Sequence, residues 1–263
     1  MSLDSSLTPA QIRHLCRLGE FNTPTPGVGS GYVQANLVVL PKSVAFDFLL
    51  FCHRNPKPCP LLDVTDVGQY EARIVAPGSD LRTDLPRYHI FRHGELVEEV
   101  TDIRGYWRDD FVAFVIGCSF SFESALLKAG LPVRHIEEGK NVPMYTTSLS
   151  CLSAGVFSSS LVVSMRPLSA DEAIQAVKIT SRYPKAHGAP VHLGEPGLIG
   201  ISNLNSPDFG DAVTIEEEEI PVFWACGVTT QIALGQAKPE IAITHAPGHM
   251  LITDIQDDSL VVP

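Results

Sequence analysis

Two segments of the chain bring a thiol, a glycine and hydroxyls together where an apolar run stops. One is Phe114-Val115-Ile116-Gly117-Cys118-Ser119-Phe120-Ser121, the other Val222-Phe223-Trp224-Ala225-Cys226-Gly227-Val228-Thr229-Thr230-Gln231. A glycine ahead of a helix lets a ligand approach the unpaired first-turn N–H groups, where the helix dipole favours an anion. Ser119, Ser121, Thr229 and Thr230 add hydroxyl donors, so the pair predicts a carboxylate or oxyanion site. Cys118 and Cys226 qualify as proton carriers there if the helix ends lower their pKa. Each turn alone also reads as a plain helix cap beside a buried thiol.

Histidines fall in two loops stiffened by Pro and Gly, His187-Gly188-Ala189-Pro190-Val191-His192-Leu193-Gly194-Glu195-Pro196 and Thr244-His245-Ala246-Pro247-Gly248-His249. Imidazole is the side chain most easily poised for proton transfer near neutrality. His245, His249 and His192 are therefore the acid/base candidates, Glu123 or Asp254 their orienting carboxylates, and His187 a substrate contact. His245 and His249 are four residues apart, but Pro247-Gly248 between them precludes a regular helix and its metal pair. A metal held with His187, His192 or Glu195 is the lesser reading, so neither metal nor cofactor is expected. A GxxxxGK[ST] phosphate loop, a GxGxxG turn and a GxSxG elbow are all missing from the sequence.

The elements that must carry these groups are legible in outline. Thr8-Pro9 opens a helix with Ile12, Leu15 and Leu18 on one face, and Gly19 ends it. Thr23 to Gly31 is a Pro/Gly-rich stretch, either a linker or a substrate-facing loop packed on the body. Val44–Cys52 predicts a buried helix, Glu71–Val75 a strand, and Arg87–Arg92 with Glu95–Val100 a hairpin turning at His93-Gly94. Trp107–Ile116 reads as helical, followed by a helix from Ser119 to Ala129. Val133–Glu137, Met144–Leu149 and Leu161–Met165 predict short strands. Ser169 and Glu172 form a capping box for a helix over Ala170–Thr180. Strand Pro221–Ala225, helix Thr229–Gln236 and strands Ile241–Thr244 and Met250–Thr253 complete the pattern. The alternation predicts an α/β protein of two domains. Residues 1–130 and 201–263 would form an α/β main domain, with 131–200 an inserted α+β subdomain.

Composition narrows the class. The 263 residues carry 30 acids against 19 bases, a net charge of −11, with 44% hydrophobic and 19% charged residues. That is a globular composition, poorly suited to nucleic acid or an anionic membrane. The start Met1-Ser2-Leu3-Asp4-Ser5 lacks a secretory pattern, and no apolar run approaches the ~20 residues that span a bilayer. The six cysteines match no zinc spacing and suit buried thiols in a reducing compartment. A cytoplasmic protein is expected, with self-association left open.

Several strings together resemble a known family. They are Gly31-Tyr32-Val33-Gln34-Ala35-Asn36-Leu37, Asn55-Pro56-Lys57-Pro58-Cys59-Pro60, Gly117 to Glu123, Asn141-Val142-Pro143-Met144-Tyr145, the His187 loop, Trp224 to Thr229 and Thr244 to His249. In this order they resemble the hydro-lyase family that also contains the eukaryotic D-glutamate cyclase domain, over about residues 10–255. The resemblance implies a two-domain α/β fold, a carbon–oxygen lyase, and reversible dehydration of D-glutamate to 5-oxo-D-proline in one relative. It adds Tyr145 to the substrate-binding candidates. The chain also departs from the pattern: Thr146 and Leu152 stand where arginines are usual, Ser148 for an asparagine, Thr230 for a proline and Glu195 for an aspartate. If those arginines hold a carboxylate, Thr and Leu offer no bidentate charged replacement.

Three functions follow. The first is a lyase removing or adding water on a small amino or hydroxy acid. The second is a cofactor-independent racemase or epimerase using Cys118 and Cys226. The third is a carboxylate-binding module without turnover.

Overall fold

In a computed structural model, which describes residues 7–262, the chain forms six α-helices and eleven strands arranged in two sheets. The Met1–Ser5 start lies outside the described residues. The first sheet runs β2 (Leu61–Val64), β5 (Phe111–Gly117), β1 (Tyr32–Pro41), β10 (Ala242–His245), β3 (Tyr88–Arg92), β4 (Glu95–Val100), with β11 (Leu251–Gln256) also paired to β1. The second runs β6 (Met144–Ser150), β7 (Ser160–Ser169), β9 (Glu219–Ala225), β8 (His192–Leu193). Every pairing is antiparallel, and the class is mixed α/β as the sequence implies.

The first sheet is apolar on both faces. Leu37, Val39, Ala113, Val115 and Ile243 point to one core and Val38, Leu40, Phe114, Ile116 and Ala242 to the other. The second core is closed by α2 (Lys42–Arg54) and α6 (Thr229–Ala237). α3 (Phe120–Lys128) and α5 (Ala170–Thr180) cover one face of the second sheet, around Phe122, Leu168, Val222 and Trp224. The other face buries Tyr145, Val163, Met165 and Phe223 under Ile199, Ile201 and Val213.

α1 (Pro9–Arg17) and α5 begin on capping boxes, at Thr8/Gln11 and Ser169/Glu172. Three segments depart from expectation. Trp107–Ile116 is not helical: from Phe111 it is the fully buried strand β5, where period cannot distinguish an apolar strand from a helix. Val133–Glu137 contains the one-turn helix α4 (Arg134–Glu137) rather than a strand. Glu71–Val75 forms turns, with the amides of Ala72 and Ile74 taken by Ser79 Oγ and Asp63 Oδ2 at 3.1 and 2.8 Å instead of a neighbouring strand. The second sheet extends past residue 200, because β7 pairs with β9 along Val163–Ser169.

Candidate active site

The two thiol turns meet where the sheets abut. β5 ends at Gly117 and leads into α3; β9 ends at Ala225 and leads into α6. Asn36 on β1 joins them: its Nδ2 donates to the Gly117 carbonyl at 2.8 Å, and a Cβ on Gly227 would lie 2.5 Å from that nitrogen. Gly117 is equally confined, since a Cβ there would overlap the Lys185 carbonyl beside His187. Both glycines are therefore required by close approach, and together they hold Cys118, Cys226 and the His187 loop around one centre.

At that centre lies Arg166 of β7, 1% exposed. Its guanidinium makes a close ion pair with Glu123 in the first turn of α3. It also donates to Ser164 Oγ and Ser119 Oγ, each at 3.1 Å, and lies 5.1 and 5.3 Å from the rings of Phe122 and Trp224. His135 of α4 brings Nε2 to 3.2 Å from Glu123 Oε1, within ion-pair range but out of line for a hydrogen bond. Burial alone would raise the Glu123 carboxyl; Arg166 and His135 outweigh it and hold it below the usual carboxylate range. A buried charge survives only with such partners.

His187 borders this cluster. Its Nδ1 lies 2.7 Å from the Lys57 carbonyl, so the neutral ring carries its proton there and keeps Nε2 as the basic nitrogen. Burial, with the Arg166 charge adding to it, pushes the ring down to about 4. It is a proton acceptor at neutral pH.

The thiols are not activated. Burial pushes Cys118 up to about 12 and Cys226 up to about 11, against hydrogen bonds from the Phe120 amide to the first and the Val228 and Gly227 amides to the second. Among the described residues, neither α3 nor α6 has a side-chain hydrogen bond at its N-cap. The racemase reading needs a thiolate that this environment disfavours.

The remaining expected residues divide by place. Ser119 holds Arg166. Ser121 Oγ accepts from the Gln34 amide at 3.2 Å, Thr229 Oγ1 from the Val162 amide at 3.0 Å, and Thr230 donates to the Gly227 carbonyl at 2.8 Å. The first two hydroxyls fasten helices to strands, and the third closes the turn that opens α6. His192 and Tyr145 lie against Phe223 on the opposite face of the second sheet, their ring centroids 5.7 and 6.5 Å from it. His192 Nε2 is 2.8 Å from the Glu195 carbonyl, and the Tyr145 hydroxyl donates to the Leu204 carbonyl at 2.7 Å.

His245 sits where β1 changes partner from β10 to β11, its Nδ1 accepting from the Leu37 amide at 3.2 Å. His249 turns its Nδ1 to the Pro247 carbonyl at 2.9 Å, and Arg87, Glu99 and His89 lie within its electrostatic reach. Neither hydrogen-bonds to the Arg166 cluster among the described residues. Asp254 pairs with Arg13 at 2.9 Å instead of orienting an imidazole. Leu152 is 64% exposed, and Thr146 uses its amide to bind Asp208 at 2.7 Å.

Arg166, His135 and Ser164 were not among the sequence candidates. One signal was available: an arginine within the apolar run Leu161-Val162-Val163-Ser164-Met165-Arg166-Pro167-Leu168 needs a buried carboxylate.

The Pro/Gly-rich loop packs on the body. Thr25 donates to the Gly248 carbonyl from its amide and its hydroxyl at 2.8 and 3.1 Å, and its own carbonyl accepts from Gln34 Nε2 at 3.0 Å. The loop walls two depressions that share Gly27 and Ile136. One, of about 460 Å³, contains His135, Lys140 and Asn141; the other, of about 90 Å³, contains Glu123. Among the described residues no three His, Cys, Asp or Glu side chains are grouped to hold a metal ion, and no helix is long and apolar enough to cross a membrane.

Similarity to known proteins agrees with the family resemblance. The family model for D-glutamate cyclase matches residues 112–254, a span that contains Cys118, Glu123, His135, Arg166, His187 and Cys226. A protein named "Putative hydro-lyase" in Stutzerimonas stutzeri is 60% identical over 256 residues, 97% of each chain. Hydro-lyases so named in Bacillus velezensis and Bacillus subtilis are 60% and 59% identical, covering 98% and 97% of this chain and 98% and 100% of their own. A nitrogen repressor-like protein of Methanococcus jannaschii aligns over 93% of this chain with a TM-score of 0.39 and 10% identity, too slight a likeness to carry an argument. At this identity and coverage, the chain belongs to the D-glutamate cyclase family of hydro-lyases.

Proposed function

We propose that this protein is a cytoplasmic carbon–oxygen lyase that removes water from a small amino or hydroxy acid, D-glutamate going to 5-oxo-D-proline being the leading candidate reaction. The observation that carries the reading is the Arg166–Glu123–His135 cluster, buried where two helix starts and the His187 loop converge. Family membership supports the same chemistry.

Cyclisation of D-glutamate makes three demands. The ammonium must lose a proton before nitrogen attacks the γ-carboxyl carbon. The tetrahedral oxyanion needs donors, and one carboxyl oxygen must leave protonated as water, so one C–N bond forms as one C–O bond breaks. His187 Nε2, bordering the cluster, is a neutral acceptor for the proton that nitrogen sheds once it has attacked. Arg166 supplies fixed positive charge, and Ser119 and Ser164 keep its fork in place. The amides of Phe120, Gly227 and Val228, which now face the thiols, are the nearest oxyanion donors.

The test is to incubate the protein with D- and L-glutamate and a panel of small amino and hydroxy acids, then separate products on a chiral column. Formation of 5-oxo-D-proline from D-glutamate, without racemised glutamate, is the expected result. Racemised glutamate without water loss would favour the two-cysteine reading, and binding without any product would leave a carboxylate-binding module.

A further inference from the structure

We propose that the small cavity between α3, the Gly27–Tyr32 segment and Asp257 is a subsite for a protonated primary amine, gripped by Gln34 Oε1, Asp257 Oδ1 and Glu123. The cavity measures about 90 Å³, and all three side chains line it. Gln34 is 5% exposed and Asp257 4%.

Its polarity is fixed by the hydrogen bonds of its walls. The Gln34 amide cannot be turned round, because Nε2 donates to the Thr25 and Val28 carbonyls, each at 3.0 Å. Oε1 is left as an acceptor with no donor. Asp257 Oδ2 accepts from Ser124 Oγ at 3.0 Å, while Oδ1 is likewise without a partner. Buried acceptors left unpaired are costly, and two of them in one cavity point to a missing donor.

The chemistry of that donor follows from charge and size. Glu123 is already balanced by Arg166, whereas among the described residues the cation acting on Asp257 is Lys128, itself 3.9 Å from Asp258. A water could donate to the orphaned oxygens but would leave that carboxylate without a counter-charge. An ammonium head supplies three N–H donors and one positive charge in a compact tripod, matching three acceptors. The carbon chain behind it would run towards Gly27 and Ile136, the residues shared with the larger depression around Lys140 and Asn141.

If the amine is the substrate's own, which rests on the lyase reading, the site also has a use in the reaction. Burial pushes the Asp257 carboxyl up to about 6. It can then take one proton from the ammonium, leaving a carboxylic acid and a neutral amine ready to attack.

Thermal unfolding of the whole protein near pH 8, with methylammonium, potassium or tetramethylammonium chloride, tests the subsite without requiring turnover. The expected result is a saturable rise in Tm with methylammonium alone, lost in Asp257→Asn and in Gln34→Leu. D-Glutamate should also bind at least about tenfold more tightly than glutarate, which lacks the amine. An equal shift with potassium would make this an alkali-cation site and overturn the amine assignment. So would the absence of any methylammonium shift, or one that survives Asp257→Asn in a variant whose own melt is cooperative. Methylammonium binding with no turnover of any acid would keep the subsite and remove the lyase reading; turnover without the shift would do the reverse.

Discussion

At the scale of single residues, the two cysteines most exposed to misreading are Cys118 and Cys226. A thiol at a helix start beside glycine is the usual setting of a reactive thiolate, yet desolvation here outweighs the amide hydrogen bonds and raises both. Cys118→Ser and Cys226→Ser are therefore expected to keep turnover within about threefold of wild type, since the hydroxyl accepts the same amides. Iodoacetamide near pH 7.5 should modify either thiol far more slowly than a free cysteine. Loss of activity in either serine variant, read in the water-loss assay, would return the thiols to the chemistry. The thiol turns were legible from the order of residues alone. The satisfied state of Ser121 and Thr229 was not, because it depends on amides of Gln34 and Val162 brought alongside by folding.

At the scale of elements, His245 and His187 show how strands and loops set a proton affinity. His245 fills the gap where β1 leaves β10 for β11 and satisfies the Leu37 amide; His187 is tied to the Asn55–Pro60 loop through the Lys57 carbonyl. Burial pushes each from 6.5 to about 4. The sign is fixed by linkage: below about 6.5 the unfolded chain gains a proton that the folded ring refuses until about 4. Stability is therefore complete above pH 6.5 and is lost as pH falls towards 4, by about 3 kcal/mol for each ring at most. Asp257 opposes them. Raised from 3.8 to about 6, it gives stability that is full below 3.8 and lost as pH rises through 6.

Urea melts at a series of pH values should show His187→Gln with a stability curve flatter than wild type between pH 6.5 and 4. An unchanged slope would mean the ring titrates normally. Capped helices, the β3–β4 hairpin and the strands bounded by turns were readable at this scale, because their signals are local. β5 was read as helix because an apolar run buried on both faces has no period of its own, and the one turn of α4 is too short to have one.

At the scale of the molecule, the site exists only because two antiparallel sheets abut. Arg166 comes from the second sheet, Glu123 and Ser119 from the helix that leaves the first, and His187 from the excursion between β7 and β9. No stretch of sequence spans this set, so the arginine's partner 43 positions away could not be named in advance. The family strings did bracket it, since Gly117–Glu123 and the His187 loop were among them.

In this enzyme the charge pair between the sheets is held to carry the reaction. The most direct measurement is the rate of 5-oxo-D-proline formation from D-glutamate in wild type, Arg166→Lys and His192→Gln, with each fold checked by its melt. Lysine keeps the charge but not the fork that binds Glu123, Ser119 and Ser164 together. The expected result is at least about a hundredfold loss of rate in Arg166→Lys and near wild-type rates in His192→Gln, whose ring lies across the sheet. Undiminished turnover in Arg166→Lys, or its loss in His192→Gln, would contradict it.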